Sequence, residues 1–559
     1  MKARLFSSHK VRTETAVGPI WNFYTLNEKE EKVKEYKMLV PAAWESHPDL
    51  VSYRGKALYS KKIRTGGNAR FNFKGVSHTC RVYLDNKLIG EHYNAYTEFS
   101  IIVKRLAEAD HLLEVIVDNS FHEESALHVE NDYYSYGGIT RPFIVEKLAD
   151  AYIKNIKFAP RKKDGKWFGK VTAAVENLAD KEITADLNLV LGANNFTFKD
   201  CVIEAGTTSV LEDDFEFIGV DDYMPNSPAL YFLEATLISG GSTIDDYIDR
   251  VGFREVRVEG ADLLFNGQKL IIKGFNRHED YGTFGCAVPV AAMYRDIELI
   301  KSMGANCVRT CHYPNDERFL DMCDENGLVV WEEAHARGLS EKQMKHKNFD
   351  RQSEDCIREM IDSHFNHPSI FVWGILNECV SNTEFGRGCY KKQIELIKKT
   401  DPSRPVSFAA LEAFIGSDKC LDLVDIVSWN IYPKWYHDTP VEESCRKLID
   451  FIEGTEGAGK PILISEIGAG GIYGYRSNNF DKWTEEYQAK AIREQITAVL
   501  ENKRLSGVIL WQYADCRVTK NWFHFRPKNQ NNKGVVDAYR REKLACQVVR
   551  ELYWDEGRI

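Results

Sequence analysis

Between Leu50 and about Leu148 apolar and polar residues alternate in short runs, as in Ala69-Arg-Phe-Asn-Phe-Lys, Arg81-Val-Tyr-Leu-Asp and Leu113-Glu-Val-Ile-Val-Asp. A period of two sends successive side chains to opposite faces, so each run predicts a short strand with one buried face. Runs at this spacing predict a β-sandwich, which we bound at residues 1–150. A second strand-rich block follows over residues 151–256, with Lys170-Val-Thr-Ala-Ala-Val-Glu, Ala185-Asp-Leu-Asn-Leu-Val-Leu and Tyr231-Phe-Leu-Glu-Ala-Thr-Leu-Ile. It carries almost no helical periodicity and predicts an immunoglobulin-like sandwich of about 100 residues.

After about Arg257 the texture changes to short apolar runs alternating with amphipathic stretches, the mark of βα units. The runs are Lys269-Leu-Ile-Ile-Lys, Asn306-Cys-Val-Arg-Thr, Leu328-Val-Val-Trp-Glu, Ile370-Phe-Val-Trp-Gly-Ile-Leu, Pro405-Val-Ser-Phe-Ala, Ile426-Val-Ser-Trp-Asn, Pro461-Ile-Leu-Ile-Ser and Gly507-Val-Ile-Leu-Trp. Eight parallel strands within 257–559 predict a closed (β/α)8 TIM barrel. Between them Met293, Ile297 and Ile300 share one helix face, with Gly304 as a stop. The same face recurs at Ile357/Ile361 and Ile492/Ile496/Leu500.

The chain's 559 residues exceed what one core supports, which agrees with this three-part division. Apolar residues make up 43% and charged residues 28%, without any apolar stretch of the length a membrane span needs. The first residues contain no apolar run that could act as a secretion signal, and a cytoplasmic protein is expected. Thirteen cysteines, several in apolar-periodic segments such as Cys307, Cys323 and Cys356, fit reduced thiols better than a disulfide framework. A net charge of −10 speaks against a nucleic-acid partner. His364 and His367 lack a zinc-ligand spacing, and Cys307 and Cys311 lack further ligands, so no metal and no cofactor is expected. Cys379 has no His or Arg close in sequence to make it a thiolate, which leaves it a packing role.

Reactive residues of such barrels sit at the C-terminal ends of strands, where this chain places Glu279/Asp280, Glu332/Glu333, Glu378, Glu466 and Asp515. Hydrolysis of a glycoside with retention needs two carboxyl groups ~5–5.5 Å apart. Glu378 and Glu466, after strands four and seven, form one such pair. On position alone Glu333 or Asp515 could replace either, and strand-end acids are also ordinary rim residues that cap helices or bind loops.

Two segments narrow the choice. Trp373-Gly-Ile-Leu-Asn377-Glu378 resembles the acid/base signature of glycoside hydrolase family 2, and Ile464-Ser-Glu466-Ile-Gly-Ala resembles its nucleophile signature. Gly274-Phe-Asn-Arg-His-Glu-Asp280, Arg309-Thr-Cys-His312-Tyr-Pro, Asn430-Ile-Tyr432-Pro-Lys-Trp435-Tyr436 and Asn131-Asp132-Tyr-Tyr-Ser-Tyr-Gly-Gly resemble motifs of that family's β-glucuronidases. The resemblance implies a jelly-roll-like, sugar-binding-like first sandwich. It makes Glu466 the nucleophile at C1 and Glu378 the group that donates and then removes a proton. Glu378 would need a raised pKa, which ionised Glu466 can supply. By the same resemblance Asn377 binds the sugar 2-OH, Asp132 reaches an equatorial hydroxyl at the fourth carbon, and His312 and Asn430 belong to the sugar site. Tyr432, Trp435, Tyr436 and Trp511 are its expected walls, although core packing is the commoner role for any single aromatic residue.

From Cys516 to Val536 there is no Asp or Glu, while Arg517, Lys520, Arg526, Lys528 and Lys533 give a local charge of +5. Within it Asn531-Asn-Lys533-Gly resembles the element with which β-glucuronidases hold the sugar carboxylate, and Arg526 lies on the same loop. Asn and Lys two apart can aim donors at one anion. After strand three the segment from Gly338 to Phe349 is shorter than the lid-like insertion of some family members, which predicts an open mouth. Arg337 stands where those enzymes carry a small or apolar residue. It either offers donors to an axial hydroxyl or a shifted carboxylate, favouring β-galacturonides over β-glucuronides, or it pairs with Glu332 or stands solvated at the rim. The expected protein is a retaining exo-β-D-hexuronidase acting on a small or oligomeric uronide, and a homo-oligomer. The rival readings are a β-galactosidase or β-mannosidase of the same fold and an inactive carbohydrate-binding protein.

Overall fold

In the computed structural model, which describes residues 2–554, burial along Leu113–Val117 follows the period of two: Leu113, Val115 and Val117 are buried while Glu114 and Ile116 are half-exposed. The same alternation organises an eight-stranded antiparallel sheet system between Thr13 and Leu148. Its two central strands, Lys56–Phe73 and Phe99–Asp118, are 18 and 20 residues long and pair along most of their length. They are longer than the short strands the spacing predicts. Three strands before Leu50 were not among the predicted runs: Thr13–Thr15, Ile20–Leu26 and Lys32–Leu39. Lys32–Leu39 buries only Met38, so an edge strand of this kind leaves almost no apolar period to read. Trp21, Phe23, Trp44, Tyr59, Phe71 and Val115 form the core between the layers.

The second block packs a three-stranded sheet (Ala151–Lys163, Lys166–Asn177, Thr208–Phe217) against a four-stranded one (Ile183–Leu191, Asn194–Ile203, Tyr231–Ser239, Ser242–Val251). Phe158, Trp167, Leu187, Leu233 and Phe253 fill the space between.

The barrel strands are β1 (Ile272–Asn276), β2 (Cys307–Arg309), β3 (Val329–Glu333), β4 (Ile370–Gly374), β5 (Val406–Ser407, resuming at Ala409–Ala410), β6 (Val427–Asn430), β7 (Ile462–Ile467) and β8 (Leu505–Leu510). All pairings are parallel, and β1 pairs with β8 to close the ring. The ladder breaks only within β5, at Phe408. The first run needs a correction: β1 begins at Ile272, and Gln268–Lys269 pairs instead with Asp262–Phe265 in a small antiparallel sheet. That sheet plugs the N-terminal end of the barrel, where Val256, Leu263 and Phe265 pack on Cys307, Val329, Trp331 and Ile509. Outside, helix Val290–Ser302 buries Met293, Ile297 and Ile300, and Gly304 follows at φ +81°. All thirteen cysteines are unpaired, and no described helix is long and apolar enough to cross a membrane.

Ion pairs fix the three units to one another. Arg4 donates to Asp249 of the second sandwich at 3.0 Å and to Asp321 of the barrel at 2.8 Å. Arg141 of the first sandwich meets Glu279, beyond β1, at 2.6 Å. Beside this contact lies a histidine cluster: His78 stacks on His128 with centroids 4.0 Å apart, and His335, from beyond β3, sits 5.7 Å from His78. Burial holds all three well below the ordinary histidine range, His335 at about 3.

A histidine whose folded pKa is depressed stays neutral while the unfolded chain takes up a proton, so stability is lost as pH falls below about 6.5 toward 3. For His335 alone the loss is on the order of 4 kcal/mol over that window. We therefore expect the midpoint of urea unfolding to drop steeply between pH 6.5 and 4, and His335→Gln to flatten that slope; a variant with the wild-type slope would remove His335 from this account.

Candidate active site

Strand β2 buries an arginine in an otherwise apolar run, and a buried guanidinium has to find an acceptor for each of its donors. Arg309 is fully buried. It donates to Glu333 at the end of β3 through Nε and Nη2 at 2.8 and 3.0 Å, and to Asn276 and Glu466, at the ends of β1 and β7, through Nη1 at 2.8 and 3.0 Å. Nη2 also donates to Asn377 Oδ1, beyond β4, at 2.7 Å. One side chain thus links five strand ends, and the sequence reading did not place it among the site residues. The signal was available in Cys307-Val-Arg309, a charge inside a strand that the barrel buries on both faces.

The same contacts separate the candidate acids. Glu333 is held by Arg309 and by His312 Nδ1 at 2.9 Å. Asp515 accepts from Lys543 at 2.8 Å and from Gly534 N at 2.9 Å, tying down the loop after β8; burial, opposed by Lys543, pushes it up to about 7. Both carboxylates are engaged by residues that tie strand ends and loops together. Glu378 and Glu466 face the mouth instead. Glu378, at φ +52°, accepts from Asn430 Nδ2 at 3.1 Å and lies 3.3 Å from Arg337 Nη2. Glu466 accepts from Tyr432 OH at 2.6 Å as well as from Arg309.

Each of the two carboxyl groups therefore has its own cation, and each feels the other. The sequence reading looks for a raised carboxyl at Glu378. In the structure burial and the neighbouring Glu378 push Glu466 up to about 7, against the pull of Arg309 and Tyr432.

The predicted sugar-site residues come together around this pair. Asn377 Oδ1 is satisfied by Arg309 and by Asn430 at 3.3 Å, while its buried Nδ2 has no protein partner, a donor available to a ligand hydroxyl. His312 stacks on Trp511 with centroids 5.2 Å apart. The Lys533 ammonium donates to Tyr436 OH at 3.1 Å and lies 5.8, 5.5 and 5.2 Å from the ring centres of Tyr432, Trp435 and Tyr436. Among the described residues no carboxylate pairs with it. Asp132, from the first sandwich, accepts from Arg526 Nε at 2.8 Å, from Arg526 Nη2, and from Asn531 Nδ2 at 3.0 Å. Asn531 Oδ1 is buried without a partner. Tyr436 is the exception to burial among the wall aromatics, at 59% exposed.

Of the alternatives open for Arg337, the pairing with Glu332 is not formed. Successive residues of a strand point to opposite sides, so Glu332 turns outward to His364 at 2.9 Å while Glu333 turns inward. Arg337 pairs with Glu378, contacts Asn131 Oδ1 at 3.5 Å and lies over the Trp522 ring at 5.4 Å. Trp522 had no signal in the sequence beyond its place in the basic loop.

A carboxyl with a raised folded pKa holds its proton in the native state between about 4.5 and 7, so folding stability falls as pH rises through that window. Glu466→Gln carries no such penalty. Its Tm should exceed the wild type's by roughly 2–5 °C at pH 8, with the difference closing by pH 4.5, whereas a gain equal at both pH values would show that the charge of Glu466 is not its source.

A family model, "Glycosyl hydrolases family 2, TIM barrel domain", matches residues 256–556. A β-glucuronidase of Chlorocebus aethiops is 31% identical over 444 residues, covering 76% of this chain and 65% of its own; the chain spans about two thirds of that relative's length. One of Streptococcus agalactiae is 27% identical over 603 residues, covering 97% of this chain and 96% of its own. The crystal structure of a β-galacturonidase of that family from Eisenbergiella tayi, bound to galacturonate, is 50% identical, covers 99% of each chain and superposes with a TM-score of 0.96.

Proposed function

Because the chain belongs to glycoside hydrolase family 2, we propose that it is a retaining, exo-acting β-D-hexuronidase that prefers β-D-galacturonides and also turns over β-D-glucuronides. The observation that carries the uronide reading is Lys533, a buried ammonium faced by aromatic rings and a phenol and by no carboxylate among the described residues. A desolvated cation without a counter-charge is costly, and a substrate carboxylate supplies the missing charge. Asn531, two residues earlier, is anchored through Nδ2 to Asp132 and shares the loop that delivers the ammonium.

In this reading Glu466 attacks C1 while Glu378 protonates the departing oxygen, giving a glycosyl-enzyme. Glu378 then takes a proton from water, which displaces Glu466 and restores the β configuration. Arg309 and Tyr432 keep the attacking oxygens oriented, and the unpartnered Nδ2 of Asn377 is placed to bind a sugar hydroxyl. Arg337 holds Glu378 in the unliganded protein. Proton donation by Glu378 requires that contact to relax, which frees guanidinium donors for the sugar. The axial 4-hydroxyl of a galacturonide is the group we assign to them, and the 50% identity to a β-galacturonidase supports that choice. A β-glucuronidase proper is the second reading, favoured by Asp132 and by the names of the curated relatives.

Hydrolysis of 4-nitrophenyl β-D-galacturonide, glucuronide, galactoside, glucoside and mannoside tests the assignment. The expected order is galacturonide, then glucuronide, with the neutral sugars far behind; preference for a neutral sugar would overturn it. Lys533→Ala should lose ~2–4 kcal/mol of transition-state binding, roughly 30- to 1000-fold in kcat/KM, on both uronides. Residual activity on the galactoside should not share that loss. Arg337→Ala should shift the galacturonide-to-glucuronide ratio toward glucuronide, and an unchanged ratio would remove Arg337 from C4 recognition.

A further inference from the structure

The loop after β8 presents three aromatic side chains that neither the fold nor the sugar site uses. Within the 3-10 helix Lys520–Phe525, Phe525 is 66% and Phe523 37% exposed, and Trp522 is half-buried with its ring 6.4 Å from that of Phe525. Leaving large apolar side chains in water is unfavourable, and a cluster of them beside a cleft marks a binding surface. The loop is tied down at both ends: Thr519 Oγ1 donates to Asn131 O at 2.6 Å, and Arg526 clamps Asp132 through both carboxylate oxygens. The aromatic rings are therefore held at a fixed place on the mouth.

That place is set by Arg337. Its guanidinium touches Glu378 at 3.3 Å and lies 5.4 Å from the Trp522 ring, so contacts run outward from the proton donor to the aromatic loop. A leaving group sits against the acid that protonates its oxygen. The neighbouring segment after β3 carries a single short helix among the described residues, Glu341–Met344.

We propose that Trp522 and Phe525 form the leaving-group site, and that the protein selects uronides whose leaving group presents the face of a ring over those with a small alkyl group. The inference rests on the hexuronidase reading of the same site. Aromatic faces bind ring faces by dispersion and edge contacts, and Arg337 and Arg526 on the tryptophan orient it.

The test compares kcat/KM on 4-nitrophenyl and methyl β-D-galacturonide for wild type, Trp522→Ala and Phe525→Ala, with size-exclusion chromatography of each. Phe525 is largely solvent-exposed, so its truncation leaves the fold intact. Each variant is expected to lose ~10-fold on the nitrophenyl substrate, the scale of one good aromatic contact, while the methyl glycoside changes little. Equal losses on both substrates would assign the aromatics to support of Arg337 and overturn the proposal. An unchanged ratio overturns it too, whether or not the oligomeric state shifts; a shift would give the patch to contact between copies of the chain. A wild type active on neutral glycosides but on neither uronide sinks the hexuronidase reading and this inference with it, whereas active wild type with unaltered variants sinks this inference alone.

Discussion

Arg309 is the constraint around which the site is arranged. A guanidinium buried at the centre of a barrel mouth is stable only if planar acceptors surround it at hydrogen-bonding distance, and here they come from β1, β3, β7 and the loop after β4. Each acceptor is thereby fixed in position. Glu333 is held as a structural counter-charge, Asn377 is oriented with its amide nitrogen outward, and Glu466 is held by one oxygen with the other on Tyr432. Removing Arg309 would leave Glu333 without its counter-charge and the other acceptors without their donor, so the network is a unit whose geometry is set before any sugar arrives.

Two opposed tendencies act on the facing carboxyl groups. At Glu466 burial and the neighbouring Glu378 favour the protonated form, while Arg309 and Tyr432 favour ionisation. Arg309 is the cation on Glu466 and Arg337 the cation on Glu378. The two cations differ in freedom. Arg309 has no solvent exposure, whereas the Arg337 side chain is 21% exposed and its contacts with Asn131 and Glu378 are long. The first holds its carboxylate permanently and the second is able to exchange partners.

How much of this the sequence carries follows from its periodicities. All eight barrel strands were legible because strands buried on both faces are continuous apolar runs, and the acids at their ends followed from that register. The start of β1 was not, because Lys269-Leu-Ile-Ile-Lys crosses from a plug hairpin into the barrel without any change in hydrophobicity. Lys32–Leu39 was missed because an exposed edge strand has no buried period. Contacts were the least legible. The family resemblance brought Asp132 to the sugar site, but its pairing with Arg526, 394 residues away, depends on how the sandwich docks. The sequence left Arg337 open between the sugar, Glu332 and solvent, because strand alternation, which turns Glu332 away, shows only in the fold.

The docking of the first sandwich has a consequence for polymeric substrates. The buried pair of Asp132 and Arg526, with Asn531 donating to the same carboxylate, ties the first sandwich to the loop after β8 at the sugar site. In the exo-acting reading proposed above, such a site admits a sugar only from its free terminus. Degradation of a uronide polymer by such a protein proceeds at a rate set by the number of chain ends and not by total mass. Prior scission of the polymer at internal bonds would then speed sugar release in proportion to the new termini it creates.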